Sequence, residues 1–335
     1  MHGAMLPDSL PTHADVVAAA QRLHGLVRRT PVLRHDAIDA KAGARVFVKA
    51  ECLQETGSFK IRGATNRLLQ IPPEGRAAGV VAFSSGNHAQ GVARAARPLG
   101  MPALIVMPSD APAVKVNGVK ADGGEVYLYD RVKESREEIA GRIAAERGAV
   151  LVPSFDDPDI IAGQGTAGLE FAEQMAEAGT PLDHLICCAG GGGLITGIAL
   201  AFEGKSPATK IWTAEPQEHD DWARSLKSGR IEHNAPGTRS ICDAILTPAP
   251  GDITFAIGKR LLSGGLTATD EDVCEAMRAA FLYLKIVAEP GGAAALATAV
   301  AGLPEEMRGK TVGVLVTGGN VDAAQYAAIL TGCGA

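Results

Sequence analysis

Short apolar runs alternate with stretches of helical spacing along nearly the whole chain. RVFVKAE (45–51), GVVAF (79–83), ALIVM (103–107), EVYLY (125–129) and Ala149–Val152 read as strands. HLICCA (184–189), KIWTAE (210–215) and TVGVLV (311–316) read the same way. Between them, Arg131–Arg147 keeps Val132, Ile139 and Ile143 at helical spacing, and Ala-rich patches such as Ala293–Ala295 predict close-packed helix. Continuous apolar strands alternating with helices predict an α/β protein: open, mostly parallel twisted sheets flanked by helices. Pro72-Pro73-Glu74-Gly75 and the pair Pro153 and Pro158 punctuate this pattern. They predict a small domain, residues 76–157, inserted into a large one made of residues 1–75 and 158–335.

Composition narrows the field. The 335 residues are 46% hydrophobic and 21% charged, ordinary globular values that exclude disorder, collagen and coiled coil. The net charge of −6 comes with no basic stripe, so a nucleic-acid partner is not expected. No apolar run reaches the about 18 residues of a membrane span, and MHGAMLPDSLPTHADVV lacks the apolar core of a signal peptide. Cys52, Cys187, Cys188, Cys242, Cys274 and Cys333 form no CxxC pair and are expected to be reduced thiols of a cytoplasmic protein.

Two glycine motifs invite opposite readings. Gly163, Gly165 and Gly168 spell GxGxxG, with Asp183 20 residues after the first. The motif follows Asp156-Asp157-Pro158-Asp159 rather than a strand, and Asp183 precedes the next strand instead of ending it, so dinucleotide binding is rejected. A helix start with small residues for close packing is the reading kept. Gly190-Gly191-Gly192-Gly193, in contrast, follows HLICCA and opens LITGIALAF. Consecutive glycines there leave several N–H groups free to converge on a phosphate, aided by the helix N-terminus.

Three further motifs sit at strand-to-helix turns. They are Ser58-Phe59-Lys60-Ile61-Arg62-Gly63, Ser84-Ser85-Gly86-Asn87-His88 and Thr317-Gly318-Gly319-Asn320. With the glycine run they resemble the pyridoxal-phosphate enzymes of the tryptophan-synthase-β fold type, and within it the threonine/serine dehydratase and serine racemase family. The resemblance spans residues 28–330. It implies two sheets with a small lobe inserted in a larger one, and a homodimer.

By that likeness Lys60 is the Schiff-base lysine and Phe59 flanks the cofactor ring. Asn87 bonds the phenolic oxygen, Gly190–Gly193 hold the phosphate and Thr317 faces the pyridine nitrogen. A neutral partner at that nitrogen favours elimination or racemisation over transamination. The implied activity is loss of a β-hydroxyl from L-threonine or L-serine, giving a 2-oxo acid and ammonia. Lys60 takes the Cα proton; Ser84, Ser85, Asn87 and His88 meet the substrate. Ser85 doubles as an opposite-face acid/base of the racemase kind, or as a helix N-cap.

The substrate itself stays open. A 3-hydroxyaspartate dehydratase, or a serine racemase with dehydratase side activity, fits the same motifs. The former needs an extra cation, with Arg136 first and His88 second as candidates, although Arg136 also reads as a surface arginine paired with Glu137 or Glu138. Departures at Cys242-Asp243-Ala244-Ile245 and at Phe83 fall near the expected cavity. A non-catalytic relative and a nicotinamide oxidoreductase are the rival classes.

Finally, Glu215 and Asp221 stand six apart around a turn and can share one hard cation. The family's metal-dependent members carry a divalent-cation site there, so Glu215, Asp221 and the carbonyl of His219 are the implied ligands. An all-oxygen set points to Mg²⁺ or Ca²⁺, with Mn²⁺ third. The alternative is an acidic helix start.

Overall fold

The protein is described from a computed structural model, which describes residues 9–111 and 113–332. Its strands are β1 (Val32–Leu33), β2 (Arg45–Ala50), β3 (Val80–Phe83), β4 (Ala103–Pro108), β5 (Glu125–Tyr129), β6 (Val150–Leu151), β7 (His184–Cys188), β8 (Lys210–Pro216), β9 (Gly264–Ala268) and β10 (Thr311–Val316). The helices are α1 (His13–Leu23), α2 (Asp36–Ala42), α3 (Lys60–Leu69), α4 (Asn87–Ala96), α5 (Ala113–Ala121), α6 (Arg136–Arg147) and α7 (Pro158–Glu177). They continue with α8 (Gly193–Lys205), α9 (Asp221–Ser228), α10 (Asp252–Leu261), α11 (Asp270–Ala279), α12 (Pro290–Val300) and α13 (Ala323–Thr331).

Two sheets result. One runs β1-β2-β10-β7-β8-β9, parallel except for the short edge strand β1; the other runs β5-β4-β3-β6 and is parallel throughout. Strands β4, β7 and β10 are buried along their whole length, as a parallel sheet covered on both faces requires, while the edge strand β5 leaves Tyr127 and Leu128 exposed. Helix α12 is buried on every side, which its run of Ala and Gly permits. Helix α3 contributes Ile61, Ala64 and Leu68 to the core beneath the four-stranded sheet, alongside Val80, Ala82 and Ile105.

The GxGxxG glycines lie inside α7, not at its start, and serve packing. The helix begins at Pro158, capped by Asp157, whose carboxylate accepts from the N–H groups of Asp159 and Ile160. A Cβ at Gly163 would press on Gly63 and Asn66, and one at Gly165 on Gly197. The three glycines let α7 sit against α3 and α8 almost backbone to backbone.

Two expectations shift. The helix predicted from Arg131 begins at Arg136, because Ser135 caps it and accepts from the Glu138 N–H; Val132 is 87% exposed. Strands β1 and β9 had no apolar run to announce them. Cys52, Cys187, Cys188, Cys242 and Cys274 are buried free thiols, while Cys333 lies outside the described residues.

Candidate active site

The strand-to-helix turns of both sheets converge on one cavity of about 570 Å³. Phe59 and Lys60 line it, as do Ser84, Ser85, Asn87 and His88 after β3, Gly190–Gly193 after β7, Thr317 after β10, and Arg136 from α6. This is the C-terminal edge of parallel strands, where helix N-termini and free backbone donors gather.

Lys60 is placed by its neighbours. The Phe59 N–H donates to the Thr317 carbonyl (3.1 Å) and Ser58 forms an isolated antiparallel bridge to Gly318. That stitch brings the first residue of α3 beside the end of β10. The Lys60 ammonium donates to the Ser154 carbonyl at 2.8 Å and sits 5.2 Å from the centre of the Phe59 ring. Burial lowers its amine to about 8, which raises the fraction available as a nucleophile at neutral pH.

The glycine run is held from behind. Trp222 Nε1 donates to the Gly190 carbonyl (2.6 Å) and Thr254 Oγ1 to that of Gly191 (2.7 Å). These bonds fix the loop's backbone through its acceptors and leave its N–H donors uninvolved. Gly192 has φ +98°, and its Cβ would overlap Trp222; a Cβ at Gly191 would overlap the Phe155 ring. Beside Gly190, Thr247 Oγ1 is buried without a partner, a further donor that sequence reading missed.

At the other wall, Thr317 Oγ1 lies 3.2 Å from Cys188 Sγ, both side chains buried. Asn87 donates to Glu289 Oε1 (2.5 Å) and accepts from Asn320 Nδ2 (2.8 Å). Neither Cys188 nor Glu289 was singled out from sequence; an acid directly before the Pro290 helix start was the available signal. Lys115, at the N-terminal end of α5, reaches across to Asp243 (3.0 Å) among the cavity-lining residues.

Of the two cations expected for a distal carboxylate, His88 is corrected. Its ring is buried, its Nε2 pairs with the Val152 carbonyl (3.0 Å), and burial together with Lys60 lowers it to about 3, so it is neutral. Arg136 combines both readings: it pairs with Glu137 (2.8 Å) and its guanidinium stands 5.4 Å from the Phe83 ring centre at the cavity wall.

Away from the cavity, the Glu215 carboxylate accepts from the N–H groups of Trp222 (2.8 Å) and Ala223 (2.9 Å), in the first turn of α9. Asp221 accepts from Asn234 through Oδ1 (2.5 Å), while its Oδ2 is buried without a partner. The His219 ring faces Thr238 Oγ1 (3.1 Å). Among the described residues, no three His, Cys, Asp or Glu side chains cluster as a metal site.

A model of the family described as pyridoxal-phosphate dependent enzyme matches residues 23–318. The chain belongs to that family. This member of the pyridoxal-phosphate enzymes is 47% identical over 324 residues to an L-threo-3-hydroxyaspartate ammonia-lyase of Pseudomonas sp., covering 96% of this chain and 99% of the relative. It is 41% identical to a serine racemase of Schizosaccharomyces pombe, covering 96% and 98%. Among solved structures it is similar to maize serine racemase (TM-score 0.89, 37% identity, covering 97% and 98%). It is also similar to a threonine deaminase of T.th. (TM-score 0.87, 41% identity, covering 93% and 99%). The family's cofactor fits the cavity chemically: a buried amine of lowered basicity shares it with a glycine run whose backbone leaves no room for side chains, since a Cβ at Gly191, Gly192 or Gly193 would collide with Phe155 or Trp222.

Proposed function

We propose that this enzyme is a lyase that removes water from β-hydroxy amino acids, releasing a 2-oxo acid and ammonia. The observation that carries the reading is the buried Lys60 amine sharing one cavity with the glycine cradle and the Ser84–Asn87 turn. Pyridoxal phosphate, when bound, supplies the electron sink that makes the Cα proton removable. Lys60 would hold it covalently, Gly190–Gly193 its phosphate, Phe59 one side of its ring, Asn87 the phenolic oxygen and Thr317 the ring nitrogen.

The chain's own groups then divide the work. Lys60 Nζ takes the Cα proton. Ser84 and the N-terminal N–H groups of α4 orient the substrate carboxylate; Ser84 Oγ already accepts from the Gly86 N–H (3.2 Å). Ser85, which lines the same cavity, would be the opposite-face proton carrier, so slow racemisation would accompany elimination. Thr317, a neutral hydroxyl, would offer the ring nitrogen no acid to protonate it, which would favour elimination.

Among substrates, 3-hydroxyaspartate is favoured, because Arg136 offers a guanidinium for its second carboxylate. The relatives named as 3-hydroxyaspartate ammonia-lyases support that choice. L-Threonine and L-serine are the second reading, supported by the apolar Phe83 beneath that same guanidinium. A divalent cation, Mg²⁺ or Ca²⁺ before Mn²⁺, would bind Glu215, Asp221 and the His219 carbonyl. The unpartnered Asp221 Oδ2 fits a cation, and burial pushes the Asp221 carboxyl up to about 7, so a positive partner is wanted there. The exposed Leu53, Phe281, Leu282 and Val287 support a homodimer, and the reduced thiols a cytoplasmic setting.

The test is 2-oxo acid formation from 3-hydroxyaspartate, L-threonine and L-serine, with and without chelator. The proposal expects product from at least one, and Arg136→Met is expected to raise KM for 3-hydroxyaspartate at least tenfold more than for threonine. No keto acid from any of them would refute the lyase reading.

A further inference from the structure

Asn87 lines the cavity at the start of α4, and its amide is gripped at both ends. Its Nδ2 donates to Glu289 Oε1 at 2.5 Å; its Oδ1 accepts from Asn320 Nδ2 at 2.8 Å, and Asn320 Nδ2 in turn donates to the Thr56 carbonyl at 2.8 Å. These partners come from three separate places: Glu289 caps α12, Asn320 follows β10, and Thr56 precedes α3.

The backbone is cut to fit this chain of bonds. A Cβ at Gly318 would overlap Glu289 Oε1, and one at Gly57 would overlap Asn320 Oδ1. The Glu289 N–H donates to the Gly318 carbonyl (2.9 Å), and the Gly319 N–H donates to that of Gly57 (2.9 Å), so the loops carrying the clamp are themselves tied. Glu289 is 5% exposed beside a neutral amide, and burial pushes its carboxyl up to about 7. A buried carboxylate without a cation is costly and needs a hydrogen-bonding duty to persist.

The pattern decides which way the Asn87 amide faces. Reversed, it would set Oδ1 against the Glu289 carboxylate and Nδ2 against the Asn320 amide, acceptor on acceptor and donor on donor. Only one orientation satisfies both ends, and it leaves the second Nδ2 hydrogen as the free donor of a residue that faces the cavity.

We propose that Glu289 is a positioning residue for the cofactor seat: with Asn320 it locks the Asn87 amide so that one N–H is presented to an anionic ring oxygen. This rests on the reading of Asn87 as the partner of the cofactor's phenolic oxygen. Glu289 touches no reacting atom in this account; its effect passes entirely through Asn87.

The experiment is a double-mutant cycle on the cofactor-loaded enzyme with Glu289→Ala, Glu289→Gln, Asn87→Ala and the Glu289→Ala/Asn87→Ala pair. The readouts are the dissociation constant of pyridoxal phosphate, the visible absorption maximum of the bound cofactor, and thermal unfolding to report on the fold. Glu289→Ala is expected to weaken cofactor binding by roughly tenfold or more, the scale of a lost charge-assisted hydrogen bond. The same change on the Asn87→Ala background is expected to cost under about threefold, since the group it positions is gone. Glu289→Gln, whose side-chain oxygen can still accept from Asn87, is expected to restore most of the affinity and the absorption maximum. Equal losses on both backgrounds would overturn the inference, as would affinity within twofold of wild type in Glu289→Ala. Should Glu289→Ala not fold, Glu289→Gln behaving as badly as Asn87→Ala overturns it equally. If Asn87→Ala binds the cofactor as well as wild type, it is the role of Asn87 that fails.

Discussion

Arg62 lies two residues after Lys60 and is fully buried, so its removal tests whether α3 is anchored by charge. Its guanidinium makes two bidentate pairs: Nε and Nη2 to Glu51 (2.8 Å each), and Nη1 and Nη2 to Glu170 (2.8 and 2.9 Å). Lys49 completes the group, donating to Glu170 (2.8 Å), Gln174 (2.8 Å) and the Thr30 carbonyl (2.9 Å). Two cations thus meet two carboxylates in the interior. Arg62→Leu leaves a net buried negative charge and is expected to cost about 3–5 kcal/mol, the scale for breaking such a pair from one side. In a chain of 335 residues, at about 2.1 cal/mol/K of unfolding entropy per residue, that corresponds to a fall in melting temperature of roughly 4–7 °C. The double variant Glu51→Leu/Arg62→Leu restores charge balance with Lys49 and Glu170, and is expected to be more stable than Arg62→Leu alone. Denaturant unfolding of the wild type, Arg62→Leu, Glu51→Leu and the double variant, with bound-cofactor absorbance followed in parallel, makes the comparison. A loss below about 1 kcal/mol for Arg62→Leu, or a double variant that loses the sum of two separate penalties, would rule out anchoring by charge. The network also sets an acid limit. Burial opposes the Glu51 charge, but Arg62 outweighs it and holds the carboxyl below its ordinary range. Its stabilising contribution is therefore present above the ordinary carboxylate pKa and lost as pH falls through the lower folded value.

Because burial lowers the Lys60 amine to about 8, capture of pyridoxal phosphate by the apoenzyme is expected to accelerate as pH rises from 6 to 8 and to level off above about 9. Stopped-flow absorbance checks it; a pH-independent rate in that window would contradict it. Gly192→Ala forces a side chain onto a residue at φ +98° and against Trp222, and is expected to weaken cofactor binding at least tenfold by equilibrium titration. After chelator treatment, added Mg²⁺ or Ca²⁺ is expected to raise the melting temperature of the wild type but not of Asp221→Asn; equal responses would remove the cation from this site.

Much was legible because backbone chemistry is written locally. Four glycines between an apolar strand and a helix have one efficient use, and the SFK and SSGNH motifs follow the same rule of donors at a helix start. GxGxxG showed the limit of that local reading: inside α7 the same letters serve contact between helices. Arg136 and His88 were both candidate cations in sequence, ranked first and second; only burial against Val152 and Lys60 made the histidine neutral.

Local sequence was enough to specify most of the strands and helices, the glycine run after β7 and the lysine motif at its helix start, since each depends on residues within a few positions of one another. The roles of Glu289, Asn320, Cys188, Thr247 and the Lys49–Glu51–Arg62–Glu170 group emerged only on folding. Their partners lie as far as 264 residues apart, as with Asn320 and Thr56. Whether a buried polar group finds a partner, and which one, is settled by how two sheets and their helices close on each other, a long-range constraint that no local pattern encodes.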